Sequence, residues 1–228
     1  MAAFPLMLPG TSRPPKLVVF DLDHTLIACD ATILWTEFLY EKKIVTDPIW
    51  RQYDRDMVKS YAKGVLDIRD FCRKHSGAFR SIPEEKLHAL AQEFAKKKIA
   101  PLIFPDGKKW AKNALQANIP ACVLSASAAF IVKPIAKLFG LTDAMGIELA
   151  FKDGFCTGEI VGIPTFQEGK VERLSERLAE AGIDFEDVLF FTDSRNDLPL
   201  AERAGYTVCV NPDAVLESAA RKNGWKVA

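Results

Sequence analysis

The 228-residue sequence has no excess charge of either sign, because 30 Lys and Arg balance 30 Asp and Glu. That balance removes the electrostatic footprint of a nucleic-acid or anionic-membrane binder. The basic run Lys96-Lys97-Lys98 reads as a solvated helix face. No apolar stretch approaches the ~20 residues of a spanning helix, so stable membrane insertion is not expected. Cysteine is sparse and dispersed: Cys29, Cys72, Cys122, Cys156 and Cys209 offer neither C-x-x-C spacing nor an even set. This excludes a zinc ribbon or a disulfide framework and points to a reducing, cytoplasmic setting. Internal repeats and low-complexity tracts are also missing. The opening "MAAFPLMLPGTSRPP" lacks the basic start of a signal peptide and is broken by prolines, which predicts a flexible tail over residues 1–15.

Short, continuously apolar runs are present: "LVVF" from Leu17, "ACVLS" from Ala121, "VLFFT" from Val188 and "YTVCV" from Tyr206. Strands apolar on both faces belong to a buried parallel sheet. Amphipathic helices lie between them. "AAFIVKPIAKLFG" carries Phe130, Ile131, Ile135 and Leu138 on a stripe and stops at Gly140, with Pro134 as a possible kink. "KVERLSERLAEAG" aligns Val171, Leu174, Leu178 and Ala181 and stops at Gly182. Asp153-Gly154 marks a hairpin near the sheet edge. The alternation predicts an α/β fold, a doubly wound, mainly parallel Rossmann-like sheet. Strand-like runs are missing between Asp30 and about Gly107. That stretch reads as helices, the last one starting at a Ser81–Glu84 capping box with Leu87, Leu90, Ala91 and Phe94 on one face. The expected division is an α/β core at 16–29 and 105–228, with an all-helical cap at 30–104.

Four polar features fall at strand or helix ends: Asp21-Leu22-Asp23-His24-Thr25, Ser125 in "VLSAS", Lys170 in "EGKVERL", and "TDSRND" from Thr192 to Asp197. Ligand sites of open α/β sheets form at the carboxyl ends of strands, so these residues can converge. Clustered carboxylates are costly unless a cation holds them. Mg²⁺ takes oxygen ligands, commonly one or two carboxylates plus water and phosphate. Asp21, Asp193 and Asp197 are candidate carboxylate ligands. A carboxylate can also attack phosphorus, while a second acid protonates the leaving oxygen and then activates water. The Ser125 hydroxyl and the Ala126 N–H suit a phosphate, and Lys170 can neutralise the transferring group. Alone, each feature is equally a cap, a turn or a surface charge. Their order and shared placement single out phosphoryl transfer.

With "DLDHT", "SAS", "EGK" and "TDSRND" in that order, the sequence resembles the haloacid dehalogenase-like superfamily. A helical cap after the first motif makes it similar to the subgroup that includes phosphoserine phosphatase. The resemblance implies a Mg²⁺-dependent phosphatase acting on a small phosphomonoester. Asp21 would be the nucleophile that forms an aspartyl-phosphate. Asp23 would be general acid and base, with its carbonyl on the metal. Thr25 would orient aspartate and phosphate, and Ser125 and Lys170 would hold phosphate. Asp193 would bind Mg²⁺, with Asp197 supporting the metal shell. The alternatives are a phosphotransferase or mutase on the same site, or a non-catalytic phosphometabolite-binding module. Two departures bear on substrate. Ala126, Ser127 and Ala128 stand where phosphoserine phosphatases carry glycines after the serine, and Asp30 replaces a glutamate that faces the substrate amine. Arg51, Arg55 and Arg69 are candidates for a carboxylate-binding arginine. Trp35, Phe38, Trp50 and Tyr53 either line a pocket or pack the cap. Phosphoserine, histidinol phosphate and lipid head-group phosphates stay open as substrates, as does the oligomeric state.

Overall fold

A computed structural model describes residues 13–228. Most of the tail expected at 1–15 therefore lies outside the described residues. Of its end, Pro15 is buried, and Arg13 reaches Asp187 at 3.8 Å.

Strand β1 (Leu17–Phe20) is followed by helices α1 (Ala31–Glu41), α2 (Ile49–Ala62), α3 (Ile68–His75) and α4 (Glu84–Phe94). Helix α5 (Pro105–Gln116) then leads into β2 (Ala121–Ala128), and α6 (Ala129–Ala136) into β3 (Asp143–Ile147). The hairpin of β4 (Leu149–Lys152) and β5 (Phe155–Ile160) comes next. The chain ends with α7 (Glu168–Ala181), β6 (Val188–Thr192), α8 (Leu198–Ala201), β7 (Tyr206–Cys209), α9 (Ala214–Asn223) and β8 (Lys226–Val227). The main sheet has the order β3-β2-β1-β6-β7-β8, and every ladder in it is parallel.

Period-two alternation sends neighbouring residues of each strand to opposite faces. Val18, Phe20, Val123 and Phe191 join one apolar cluster, whereas Leu17, Val19, Leu124 and Phe190 join another. Helices cover both faces, as continuous apolar strands require. The fold is thus a doubly wound α/β sheet, and the parallel ladders bring the ends of β1, β2 and β6 to one edge.

The helical segment between β1 and α5 does not keep a core of its own. Trp35 and Phe38 of α1 and Phe94 of α4 join the cluster that holds Val18 and Phe20. Their rings lie 5.4–5.7 Å apart, and Trp35 meets Phe130 of α6 at 5.6 Å. The strands that connect this segment to the sheet also pair. Ala28 N donates to Leu102 O at 2.8 Å, and Phe104 N to Leu26 O at 3.0 Å.

Several local expectations hold. Helix α6 runs through Pro134, and the chain turns at Gly140 with φ +77°. Helix α7 stops at Gly182 with φ +63°. Asp153 and Gly154 both take positive φ, as a type I′ hairpin demands. All five cysteines are free. Others change. Pro83, not Ser81, is the N-cap of α4, and Glu84 N instead meets the hairpin carbonyl of Gly154 at 2.8 Å. A tertiary acceptor has replaced the local cap. Ala181 is exposed at the end of its helix. Strand β2 continues three residues past Ser125, but its ladder to β3 jumps from Leu124 to Ala128. The skipped residues include Ser125, Ala126 and Ser127. Strands β3 and β8 carry no apolar run that would have announced them.

Candidate active site

Asp21 directly follows β1 and is 6% exposed. Among the described residues its ion-pair partner is Lys170, whose Nζ lies 2.8 Å from Oδ1. Lys170 stands in the first turn of α7 and is 1% exposed. Its amine also meets Asp197 at 2.7 Å. Asp197 further accepts from Thr192 Oγ1 at 2.7 Å. A lysine this deep keeps its charge because two carboxylates clamp it, and they push its pKa up despite burial.

Asp23 is held differently. Its Oδ1 accepts from Ala31 N at 2.6 Å, and its Oδ2 from Ser127 Oγ at 2.9 Å and Ser125 Oγ at 3.3 Å. Thr25 donates to Asp193 Oδ1 at 3.4 Å, not to Asp21. Ala126 lines the cavity above, with Asp21, Asp23 and Asp193. Asp30 caps α1 by accepting from Ile33 N at 3.0 Å and faces the same cavity. All the carboxylates expected from the four motifs, with Ser125 and Lys170, therefore meet at one edge.

Dehydration dominates the electrostatics. It pushes Asp21 up to about 7, opposed by Lys170 and helped by Asp197 and Asp23. It pushes Asp23 and Asp30 up to about 6. Asp193 is raised well above the usual carboxylate range by burial, then by Asp21 and Asp197. Five carboxylates thus gather around one lysine, which pairs with only Asp21 and Asp197, and the excess acidic groups call for a further cation. Among the described residues, no three acidic, His or Cys side chains already form a closed metal cage. Mg²⁺ does not need one, since waters and substrate phosphate complete its octahedron. The oxygen-only donor set of Asp21 and Asp193 fits that ion.

The cavity wall away from the strands is made by Ile33, Met57, Val58, Leu66, Ile68 and Phe71, with Tyr61 beside Asp193. Among the described residues, Asp30 is its one acidic side chain beyond the motif carboxylates, and no Lys or Arg lines it, although His24 and Thr32 do. Arg51 is paired to Glu37 at 2.7 Å, Arg55 leans on Gln52 at 2.7 Å, and Arg69 is absent from the wall. Trp35 and Phe38 are core residues, while Trp50 and Tyr53 stack on each other at 5.5 Å away from this wall. Sequence reasoning thus missed the aromatics that do face the site, Tyr61 and Phe71. It also missed Ser127, although the i, i+2 spacing from Ser125 places both hydroxyls on one side of an extended chain.

A parallel α/β sheet that gathers buried carboxylates and a buried lysine at one edge suits phosphoryl-transfer chemistry, and comparison with known proteins makes the chain a phosphoric monoester hydrolase. The chain belongs to the haloacid dehalogenase-like hydrolase family, whose model matches residues 18–202. It is 35% identical over 216 residues to a histidinol-phosphatase of Neisseria meningitidis, covering 93% of this chain and 97% of that one. A crystal structure of a Bordetella pertussis protein of unknown function superposes with a TM-score of 0.84 at 31% identity, covering 93% and 97% of the two chains. A substrate-bound phosphoserine phosphatase superposes with a TM-score of 0.68 at 22% identity, covering 91% of each chain, a likeness of fold.

Proposed function

We propose that the protein hydrolyses a small phosphomonoester that carries an amine and no carboxylate, with Mg²⁺ and through phospho-Asp21. The observation that carries this reading is the contrast inside one cavity: carboxylates and Lys170 at the strand edge, and above them a mostly apolar wall whose one added carboxylate among the described residues is Asp30 and which holds no Lys or Arg. A substrate carboxylate would find no lysine or arginine on that wall. A substrate ammonium would find Asp30. Histidinol phosphate has this pattern, and a relative bears the name histidinol-phosphatase. Phosphoserine does not.

In the first step an Asp21 carboxylate oxygen attacks phosphorus and the ester P–O bond breaks. Asp23 gives its proton to the leaving alkoxide, which departs as the alcohol. A pKa near 6 suits that exchange at neutral pH. Asp23 then takes a proton from water, the hydroxide attacks phosphorus, and the acyl phosphate releases inorganic phosphate and Asp21. Lys170 stays against Asp21 and offsets charge on the transferring group. Ser125 and Ser127 keep Asp23 aimed, and the Ala126 N–H is available to phosphate. Asp21, Asp193 and the Asp23 carbonyl would hold Mg²⁺, with Asp197 supporting through Lys170, and the ion would supply positive charge to the phosphate oxygens. Residues 30–104 act as the cap that closes this cavity from water.

Purified protein with Mg²⁺ should release phosphate from histidinol phosphate far faster than from phosphoserine, and stop with EDTA. Equal or greater turnover of phosphoserine would sink the substrate reading. Full activity in Asp21→Asn would sink the covalent mechanism.

A further inference from the structure

We propose that Gln167 is a positioning residue for phosphate-ester hydrolysis: its side-chain amide latches the end of α2 onto the start of α7, which carries Lys170, and onto the loop after β6, which carries Asp193. The argument starts from an awkward backbone. Gln167 has φ +49° and ψ −123°, a conformation that type II′ turns reserve for glycine. A glutamine there is strained, so its side chain must supply something that glycine cannot.

What it supplies is two hydrogen bonds. Gln167 Nε2 donates to Gly64 O at 3.2 Å and to Asn196 Oδ1 at 3.1 Å. Asn196, 3% exposed, passes the pattern on, its Nδ2 donating to Tyr61 O at 3.0 Å and Ser194 Oγ at 3.2 Å. Each amide nitrogen has two N–H groups, and all four meet acceptors. The turn after α2 packs in ordinary contact with Arg195 and Asn196. A Cβ on Gly64, at φ +72°, would sit 3.4 Å from Arg195 Nε and 3.7 Å from Asn196 Oδ1.

Both ends of the latch matter for chemistry. On the core side, Lys170 N donates to Gln167 O at 3.0 Å, so the latch residue begins the helical turn of Lys170. Asn196 precedes Asp197 directly. On the other side, the held carbonyls belong to the segment that brings Met57, Val58, Tyr61, Ala62 and Leu66 over Asp21. The latch therefore fixes the leaving-group wall relative to the phosphate floor. It rests on the phosphatase activity, not on the choice of substrate.

Gln167→Glu replaces two donors with acceptors that face two other acceptors. Gln167→Gly removes the side chain and relaxes the backbone. Both should raise KM at least about tenfold, with kcat within about threefold of the parent. Both should also speed amide hydrogen exchange across residues 57–66. Gln167→Gly should melt no lower than the parent, which separates a lost latch from a damaged fold. Gln52→Glu, on the exposed side of α2, should change neither KM nor exchange. If Gln167→Gly keeps the parental KM and exchange, the latch is overturned. The exchange readout needs no turnover, and Asp21→Asn should leave it unaltered, so failure of the catalytic mechanism shows up separately.

Discussion

The floor of the cavity is polar, buried and cross-linked by ion pairs, whereas its α2–α3 wall is apolar, half-exposed and tied to the core by a few amide hydrogen bonds. Lys170 touches Asp21 and Asp197 within 2.8 Å. Phe71, Leu66 and Ile68 touch solvent as well as the cavity. The difference teaches a division of labour. In the proposed reaction the phosphoryl group is the same in every substrate, so its end of the cavity can be rigid. Dehydration there also strengthens each charge interaction. The leaving group varies, so its wall comes from helices that can be rebuilt without moving the sheet. Even within the helical segment the two halves differ. Helices α1 and α4 are fused to the sheet core through Trp35, Phe38 and Phe94, while α2 contributes only Asp54 and Met57 as buried residues.

The sharpest way to break the comparison is to disable the floor alone. Asp23→Asn keeps one acceptor oxygen, for Ala31 N, and turns an N–H₂ toward the Ser127 and Ser125 hydroxyls, which can accept from it, but it cannot exchange a proton. We expect kcat to fall by about 10²–10⁴ for every phosphomonoester, whatever its leaving group. KM should change little, because the wall is untouched. Steady-state kinetics on two substrates of different leaving group check this. A loss confined to one substrate would show that Asp23 reads the leaving group as well.

The same division explains what the sequence could reveal. The floor residues sit where chain direction dictates. Asp21, Ser125 and Asp193 each follow a continuous apolar run, and a parallel sheet aligns such ends without any knowledge of packing. Even so, local reading misjudged details set by tertiary contacts. Ser127, two residues past Ser125, shares the Asp23 contact at a point where the β2 ladder to β3 is interrupted. Gly154, far along the chain, took the capping role assigned to Ser81. The wall was less legible. Trp35, Phe38, Tyr61 and Phe71 all fall on amphipathic helices, and periodicity says which face is apolar, not which neighbour it meets. Trp35 and Phe38 went to the core and Tyr61 to the cavity because of how α1 and α2 cross, which no local pattern encodes. The strain at Gln167 left no trace in composition either.

A smaller effect should come from changing the wall's carboxylate, Asp30. Asp30→Asn keeps α1 capped, since asparagine caps as well as aspartate. Helix and fold should therefore persist. The loss of a charge facing an ammonium should raise KM for an amine-bearing phosphomonoester by about tenfold, about 1.4 kcal/mol at a half-exposed site. An amine-free analogue should bind equally well to parent and variant. An equal KM rise for both compounds would show Asp30 to be a structural cap and nothing more.

The smallest predicted effect is a pH dependence of the comparison itself. Asp30 is pushed up to about 6 by dehydration, against the hydrogen bonds from Ile33 and Thr32 that favour its charge. It is therefore ionised above pH 6 and becomes neutral as pH falls through 6, losing its hold on an ammonium. Absolute rates cannot display this, because Asp23 titrates in the same range and a phosphate monoester has its second pKa near 6. The ratio of kcat/KM for an amine-bearing substrate to that for its amine-free analogue cancels both, since floor and phosphoryl group are common to the two. That ratio should be flat from pH 7 to 8 and fall several-fold by pH 5. In Asp30→Asn it should be low and flat throughout. A ratio that stays constant in the parent would mean that Asp30 does not meet the amine, and that the wall selects its leaving group by shape alone.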